Sequence, residues 1–325
     1  MKNILVIGSF GQIGSELTPE LRKRYGNSNV VASDLCVKKD NSLSSDGPVE
    51  NLDVTNPLAI AELVKKYKID TIFNMAAILS VVAEAKPQLA WNVGVNGIFN
   101  CLEVAREFNC ALFTPSSIAA FGAGTPLDNT PQDTIQRPET MYGVTKVTSE
   151  LLSDYYHKRF GVDTRSVRYP GIISNVTLPG GGTTDYAVEI YYEAIRTGQY
   201  TSFLSAGTFL DMMYMPDALN ATIQLMEADP SKLTHRNSFN LSSMSLEPEM
   251  IAAEIRKYIP GFKLDYNIDE GKQSIADSWP NSMDDSCARK EWNWKPEWDL
   301  ASMTVDMLKA IQEKFSSGLL RTISF

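Results

Sequence analysis

Lys2-Asn-Ile-Leu-Val-Ile7 runs directly into Gly8-Ser-Phe-Gly11-Gln-Ile-Gly14, and a helical pattern with Leu17 and Leu21 on one face extends from Ser15 to Tyr25. A short apolar run bounded by glycine is the pattern of a strand buried on both faces of a parallel sheet. Glycines at the strand-to-helix junction let the backbone approach a phosphate and aim the helix N-terminus, with its unpaired N–H groups, at the anion. The spacing is GxxGxxG, a departure from the GxGxxG given for dinucleotide folds, and glycine also serves ordinary turns. The stretch predicts strand, tight turn and helix; its reading as a cofactor cradle rests on its place after an apolar strand and on Asp34.

The second strand pattern, Asn29-Val-Val-Ala-Ser33, ends at Asp34, twenty residues beyond Gly14. That is the offset of a ribose-binding acid. Its charge repels a 2′-phosphate, so NAD is expected over NADP, although Lys38 and Lys39 soften the exclusion. After a polar loop from Lys38 to Glu50, Asp53 is a candidate for the adenine amino group or, equally, a turn acid.

Strand patterns at Asp70–Met75, Cys110–Thr114 and Asp163–Arg168 alternate with helices starting near Pro57, at Gln88–Phe108 and at Glu139–Phe160. This is the alternation of a doubly wound α/β fold, a Rossmann-type parallel sheet. Past Pro170 it stops: Pro179-Gly-Gly-Gly182 breaks the chain, helices are expected at Thr184–Thr197, Asp217–Ala228 and Leu300–Phe315, Asp265–Ile268 is a weak strand, and Ser316–Phe325 a peripheral tail. The expected division is a cofactor domain over 1–170, to which about 205–245 returns, and a smaller, mostly C-terminal substrate domain over 171–204 and 246–325.

With 325 residues, 43% of them hydrophobic, the chain can bury a large core. A net charge of -9 argues against nucleic-acid and anionic-membrane surfaces and for a small-molecule substrate. Four scattered cysteines without CxxC spacing suit a reduced compartment. Neither His157 nor His235 has a second histidine or a cysteine at ligand spacing, so no metal is expected. With no apolar run long enough to span a membrane, the expectation is cytoplasmic, or mitochondrial matrix if a presequence was removed.

Tyr142-Gly-Val-Thr-Lys146 puts a tyrosine and a lysine on one helical face. The pair reads either as a solvated surface pair or as a phenol activated by a neighbouring ammonium. Shifting a phenol about three units toward neutrality takes about 4 kcal/mol of preferential stabilisation of the phenolate. Lys146 and a positive nicotinamide ring are the available sources. Ser117 ends the fifth strand, at the edge where an open α/β sheet binds ligands, with Ser116 as the rival hydroxyl and capping as the other use of both.

Taken together, Gly8/Gly11/Gly14, Asp34, Asn74-Met-Ala-Ala77, Ser116-Ser117 and Tyr142/Lys146 resemble the extended short-chain dehydrogenase/reductases over nearly the whole chain. The resemblance implies Tyr142 as acid/base, Lys146 as holder of the nicotinamide ribose and Ser117 as the hydroxyl that positions the substrate oxygen. NAD contacts are expected from Gly8, Gly11, Gln12, Ile13, Gly14, Asp34, Leu35, Asp53, Ala76, Ala77, Tyr142, Lys146 and Tyr169. It also implies a homodimer, with Gln88–Phe108 and Glu139–Phe160 as candidate interface.

Members of this group that act on sugar nucleotides carry an Arg-Asp-aromatic segment whose arginine meets the diphosphate. Here the matching stretch is Thr208-Phe-Leu210-Asp211-Met-Met-Tyr214, with Leu210 in the arginine's place. An unpaired diphosphate is costly to bury. Pro179-Gly-Gly-Gly-Thr-Thr-Asp-Tyr186 and Ala187–Tyr192 instead look like the epimerase-like L-threonine 3-dehydrogenases. That likeness implies NAD-dependent oxidation of the 3-hydroxyl of L-threonine to 2-amino-3-oxobutanoate. Thr183 and Thr184 at a helix start suit a carboxylate, with an N-cap by Thr184 or Asp185 as the other reading. Ser80 is a further substrate contact, and Trp279 either a lid or domain packing. The competing readings are a sugar-nucleotide epimerase or reductase, and an NAD-sensing protein without catalysis.

Overall fold

In the first half of the chain, strands β1 (Ile4–Ile7), β2 (Val30–Asp34), β3 (Val49–Asn51), β4 (Thr71–Asn74), β5 (Ala111–Phe113), β6 (Ser116–Ser117) and β7 (Thr164–Arg165) succeed one another. The computed structural model describes residues 1–37, 42–180 and 182–318. Lys38, Lys39, Gly181 and the tail from 319 lie outside the described residues.

All four residues of β1 are buried, as a strand covered on both faces requires. β1 is the middle of a six-stranded parallel sheet in the order β3-β2-β1-β4-β5-β7, with Ile4 opposite both Val30 and Thr71. The chain winds outward from β1 to β3, then returns to β4 on the other side. The strand order therefore reverses between β1 and β4, the place where such a sheet opens a crevice beyond its carboxyl ends.

The remaining strands are β8 (Val167–Tyr169), β9 (Gly171–Ile173), β10 (Gln199–Ser202), β11 (Leu210–Tyr214), β12 (Phe239–Asn240), β13 (Met244–Leu246) and β14 (Lys263–Tyr266). They build three small sheets, β12-β8-β6, β13-β11-β9 and β10-β14. The single strand expected over Asp163–Arg168 is divided between two sheets. At Ser166 the backbone N–H donates to the Arg236 carbonyl (2.9 Å) and the carbonyl accepts from Phe239 N–H (3.0 Å), so pairing partners change there. The expected helix Gln88–Phe108 is also not continuous: a π-helical turn at Asn92–Asn96 joins Pro87–Trp91 to Gly97–Phe108. The polar loop from Lys38 to Glu50 holds a short helix, Ser42–Asp46, and the start of β3.

One apolar cluster joins β1 residues Ile4 and Val6 to Met213–Met226, Phe239, Trp292 and Trp294. The indoles of Trp292 and Trp294 thus pack with the first strand, although they fall within 246–325. A second cluster takes Tyr186–Tyr192, Leu210, Met212, Trp279 and the helix Leu300–Ser316 through Met303 and Met307. No described helix is long and apolar enough to cross a membrane.

Candidate active site

The cradle is built by backbone. Gly8 and Ser9 N–H groups both donate to the Ser33 carbonyl (2.8 and 3.0 Å), and Phe10 N–H donates to Asp34 Oδ2 (3.0 Å). A Cβ on Gly14 would lie 2.1 Å from the Gly8 carbonyl oxygen, so the helix start packs on its own turn only because residue 14 has no side chain. Asp34 therefore holds the turn as well as closing β2. Beside it Leu35 is an exposed apolar side chain, 62% accessible.

Asp34→Ala is expected to weaken NAD about tenfold or more, since a charged acceptor of hydrogen bonds contributes about 1.5–3 kcal/mol. Calorimetric titration with NAD and NADP checks this; an unaltered preference between the two would remove Asp34 from the cofactor site.

Beyond the turn opens a cleft of about 250 Å³ at the carboxyl ends of β1 and β4. Gly8, Gly11, Gln12, Ile13 and Gly14 form one wall, and Ala77, Ser80, Ser117, Tyr142, Lys146, Tyr169, Thr183, Thr184 and Trp279 complete it. Four sequence candidates, Asp34, Leu35, Asp53 and Ala76, are not among the lining residues. Asp53 Oδ1 accepts from Thr55 N–H (2.9 Å) and Thr55 Oγ1 (2.7 Å), which is the arrangement of a turn acid ahead of the helix Pro57–Tyr67. Ala76 backs Gly8: its nitrogen would be 2.8 Å from a Cβ there. Sequence reasoning missed Met75, Leu79, Ile118 and Ile172 as lining, because apolar residues at strand ends carry no signal separating cleft from core.

Tyr142 and Ser117 meet through a close backbone approach. Thr140 caps the helix Met141–Phe160 by accepting from Gly143 N–H (3.1 Å), and a Cβ on Gly143 would lie 2.2 Å from the Ala119 carbonyl. The helix start consequently rests on the turn Ile118–Ala120, next to Ser117. Lys146, buried, donates to the Pro115 carbonyl (2.8 Å), and its Nζ lies 5.3 Å from the Tyr142 ring centroid. Tyr142 lines the cleft, and among the described residues its hydroxyl has no hydrogen-bond partner.

The two serines have different partners. Ser116 donates to the buried Glu150 carboxylate, whereas Ser117 Oγ accepts from Ala119 N–H (3.2 Å), a bond that leaves its own proton uncommitted. Tyr169 also lines the cleft, but its hydroxyl is tied to Thr222 and burial pushes its phenol up, away from acid–base work. At the far end the Thr183 hydroxyl is buried without a partner, a state that a polar ligand would relieve. Asp185 Oδ2 accepts from Gly180 and Gly182 N–H (2.8 and 2.7 Å), folding the glycine run against the helix Tyr186–Arg196. Trp279 is buried and lines the cleft.

A cradle shaped by absent side chains, an acid at the end of β2 and an unpartnered hydroxyl in the cleft fit NAD with a small polar substrate beside it. The glycine turn and the Tyr142–Lys146 pair share one edge of the sheet, as the resemblance to the extended short-chain dehydrogenase/reductases implies. The NAD dependent epimerase/dehydratase family matches residues 4–241, and the chain belongs to it. A relative from Staphylococcus saprophyticus, called an uncharacterized epimerase/dehydratase, is 57% identical over 97% of this chain and 98% of its own. The structure of L-threonine dehydrogenase from Clostridium difficile is 58% identical with a TM-score of 0.95, covering 97% of this chain and 98% of that one. That of L-threonine dehydrogenase from Phytophthora infestans is 49% identical with a TM-score of 0.92, covering 96% of this chain and 100% of the other.

Proposed function

We propose that this NAD-dependent oxidoreductase oxidises the 3-hydroxyl of L-threonine to give 2-amino-3-oxobutanoate. The observation that carries this reading is the charge of the cleft. Among its described lining residues Lys146 is the single cation and no arginine is present. Leu210, in the position expected of a diphosphate-binding arginine, is fully buried in the core. A substrate diphosphate would find no arginine to pair with, whereas an amino acid needs only short polar contacts. Likeness to two L-threonine dehydrogenases over nearly the whole chain agrees.

In this reading Tyr142 accepts the proton of the 3-hydroxyl, and Ser117 donates to the same oxygen while Ala119 N–H holds it in place. Lys146, anchored on the Pro115 carbonyl, keeps its ammonium beside the phenol. NAD, when bound on the glycine turn, supplies the hydride acceptor. Thr183 and Thr184 hold the substrate carboxylate at the start of the helix Tyr186–Arg196, where N–H groups favour an anion. Ser80 completes the polar contacts, and Leu79, Ile172 and Trp279 exclude water.

The test is NADH formation, followed by absorbance, with L-threonine, L-allo-threonine, L-serine and UDP-sugars as alternatives. Reduction selective for L-threonine is expected, with Thr183→Val raising KM about tenfold as one buried hydrogen bond is lost. Turnover of a UDP-sugar without any response to L-threonine would replace this reading with that of a sugar-nucleotide enzyme.

A homodimer is proposed with it. Leu89, Trp91 and Phe99 on one helical stretch, and Leu151, Tyr155 and Phe160 on the helix Met141–Phe160, are all exposed. So many large apolar side chains on adjacent helices suit burial against a second copy. Light scattering should give twice the 36.0 kDa of one chain; a single-chain mass would discard the dimer.

A further inference from the structure

His235, more than fifty residues before Cys287 and Glu291 in sequence, comes together with them outside the cleft: none of the three lines it. Cys287 and Glu291 are one turn apart on the helix Ser286–Trp292 and share a face, and His235 belongs to the segment leading into β12. One imidazole nitrogen, the thiol sulfur and one carboxylate oxygen all lie within 4.8 Å of one another. A tetrahedral zinc with bonds of roughly 2.0–2.3 Å draws its ligand atoms only modestly closer than this.

We propose that His235, Cys287 and Glu291 bind a borderline-soft divalent metal ion, of which Zn²⁺ fits best, with solvent as the fourth ligand and Asp133 as the outer partner of the ring's other nitrogen. The donor set decides the class, since thiolate and imidazole reject Mg²⁺ and Ca²⁺ and favour zinc and its neighbours. Glu291 is already oriented: Oε2 accepts from Thr234 N–H (2.5 Å) and His235 N–H (3.2 Å), while Oε1 meets His235 Nδ1. Such outer hydrogen bonds fix ligand direction. Asp133 Oδ2 lies 3.5 Å from His235 Nε2, so the ring has a carboxylate on each side.

Among the described residues neither acid has a lysine or arginine as ion-pair partner; both pair with His235 alone. The metal replaces the proton shared by His235 Nδ1 and Glu291, and the Cys287 thiol gives its proton to solvent on binding. Because His235 adjoins Arg236, whose carbonyl accepts from Ser166 N–H (2.9 Å), the ion would staple the helix Ser286–Trp292 to the junction of β7 and β8. The role is structural rather than catalytic.

Metal-free protein titrated with Co²⁺ alone provides the test. A near-ultraviolet thiolate-to-cobalt absorption saturating at one ion per chain is expected, and Zn²⁺ should bleach it. Cys287→Ser should abolish the band, Cys36→Ser should leave it intact, and Glu291→Gln should keep it with affinity weakened about tenfold or more. Absence of the band at millimolar Co²⁺, its survival in Cys287→Ser, or an unchanged affinity in Glu291→Gln would overturn the site.

Discussion

Replacing Tyr142 by phenylalanine is expected to lower kcat by about 10²–10⁴-fold, the usual contribution of a positioned acid–base group, while leaving NAD affinity essentially unchanged. The geometry separates the two effects. The Tyr142 ring packs against the second apolar cluster, and phenylalanine preserves that contact. The hydroxyl has no partner among the described residues, so its loss strands no donor or acceptor in the free enzyme. Lys146 keeps its bond to Pro115 and the glycine turn is not touched. Single-turnover kinetics with L-threonine, alongside NAD titration, make the measurement. A variant retaining more than a tenth of wild-type turnover would take the acid–base role away from Tyr142.

The second large effect concerns stability. Glu150→Ala is expected to destabilise the fold by about 3–5 kcal/mol, the cost of leaving one member of a buried ion pair alone. Both Arg168 and Glu150 are buried, and the guanidinium grips both carboxylate oxygens (3.0 and 2.8 Å). Gln136 Nε2 donates to the same carboxylate (2.9 Å), as does Ser116. Alanine would orphan all three donors, and Ser116 would lose the bond that separates its role from that of Ser117. Urea unfolding reports the loss. The double variant Glu150→Leu with Arg168→Met should recover much of it, because removing both charges is far less costly than removing one. A shift below 1 kcal/mol in the single variant would show that the pair does not hold this region.

The doubly wound sheet was legible because β1, β2, β4 and β5 are short, largely apolar runs between long periodic helices, whereas β3, Val-Glu-Asn at the sheet's edge, lay partly in what reads as a polar loop. The small sheets were not: β6, β8 and β12 have two or three residues each, and their pairing depends on partners as distant as Ser116, Arg168 and Asn240. Tyr142, Lys146 and Ser117 stood out by spacing and edge position, but only the resemblance to the extended short-chain dehydrogenase/reductases implied their roles. Nothing local marked Leu79 or Ile172 as cleft residues, since apolar side chains look the same in a wall and in a core. The Asp34 bond to Phe10, the Glu150–Arg168 pair and the meeting of His235 with Cys287 are likewise products of tertiary structure that no periodicity encodes.

The seat of Gly143 on the Ala119 carbonyl has a consequence for diversification. The geometry proposed for proton transfer rests there on main chain against main chain, with Thr140 and Pro138 completing the joint. The groups proposed to choose the substrate, Thr183, Thr184 and Trp279, sit on separate segments reached much later in the chain. In the proposed reading, selection or design can exchange the second set without retuning the first, so the same acid–base pair would serve alcohols of different shape. Changes at Gly143 have no such latitude, because any side chain there separates the phenol from the serine whatever substrate is offered.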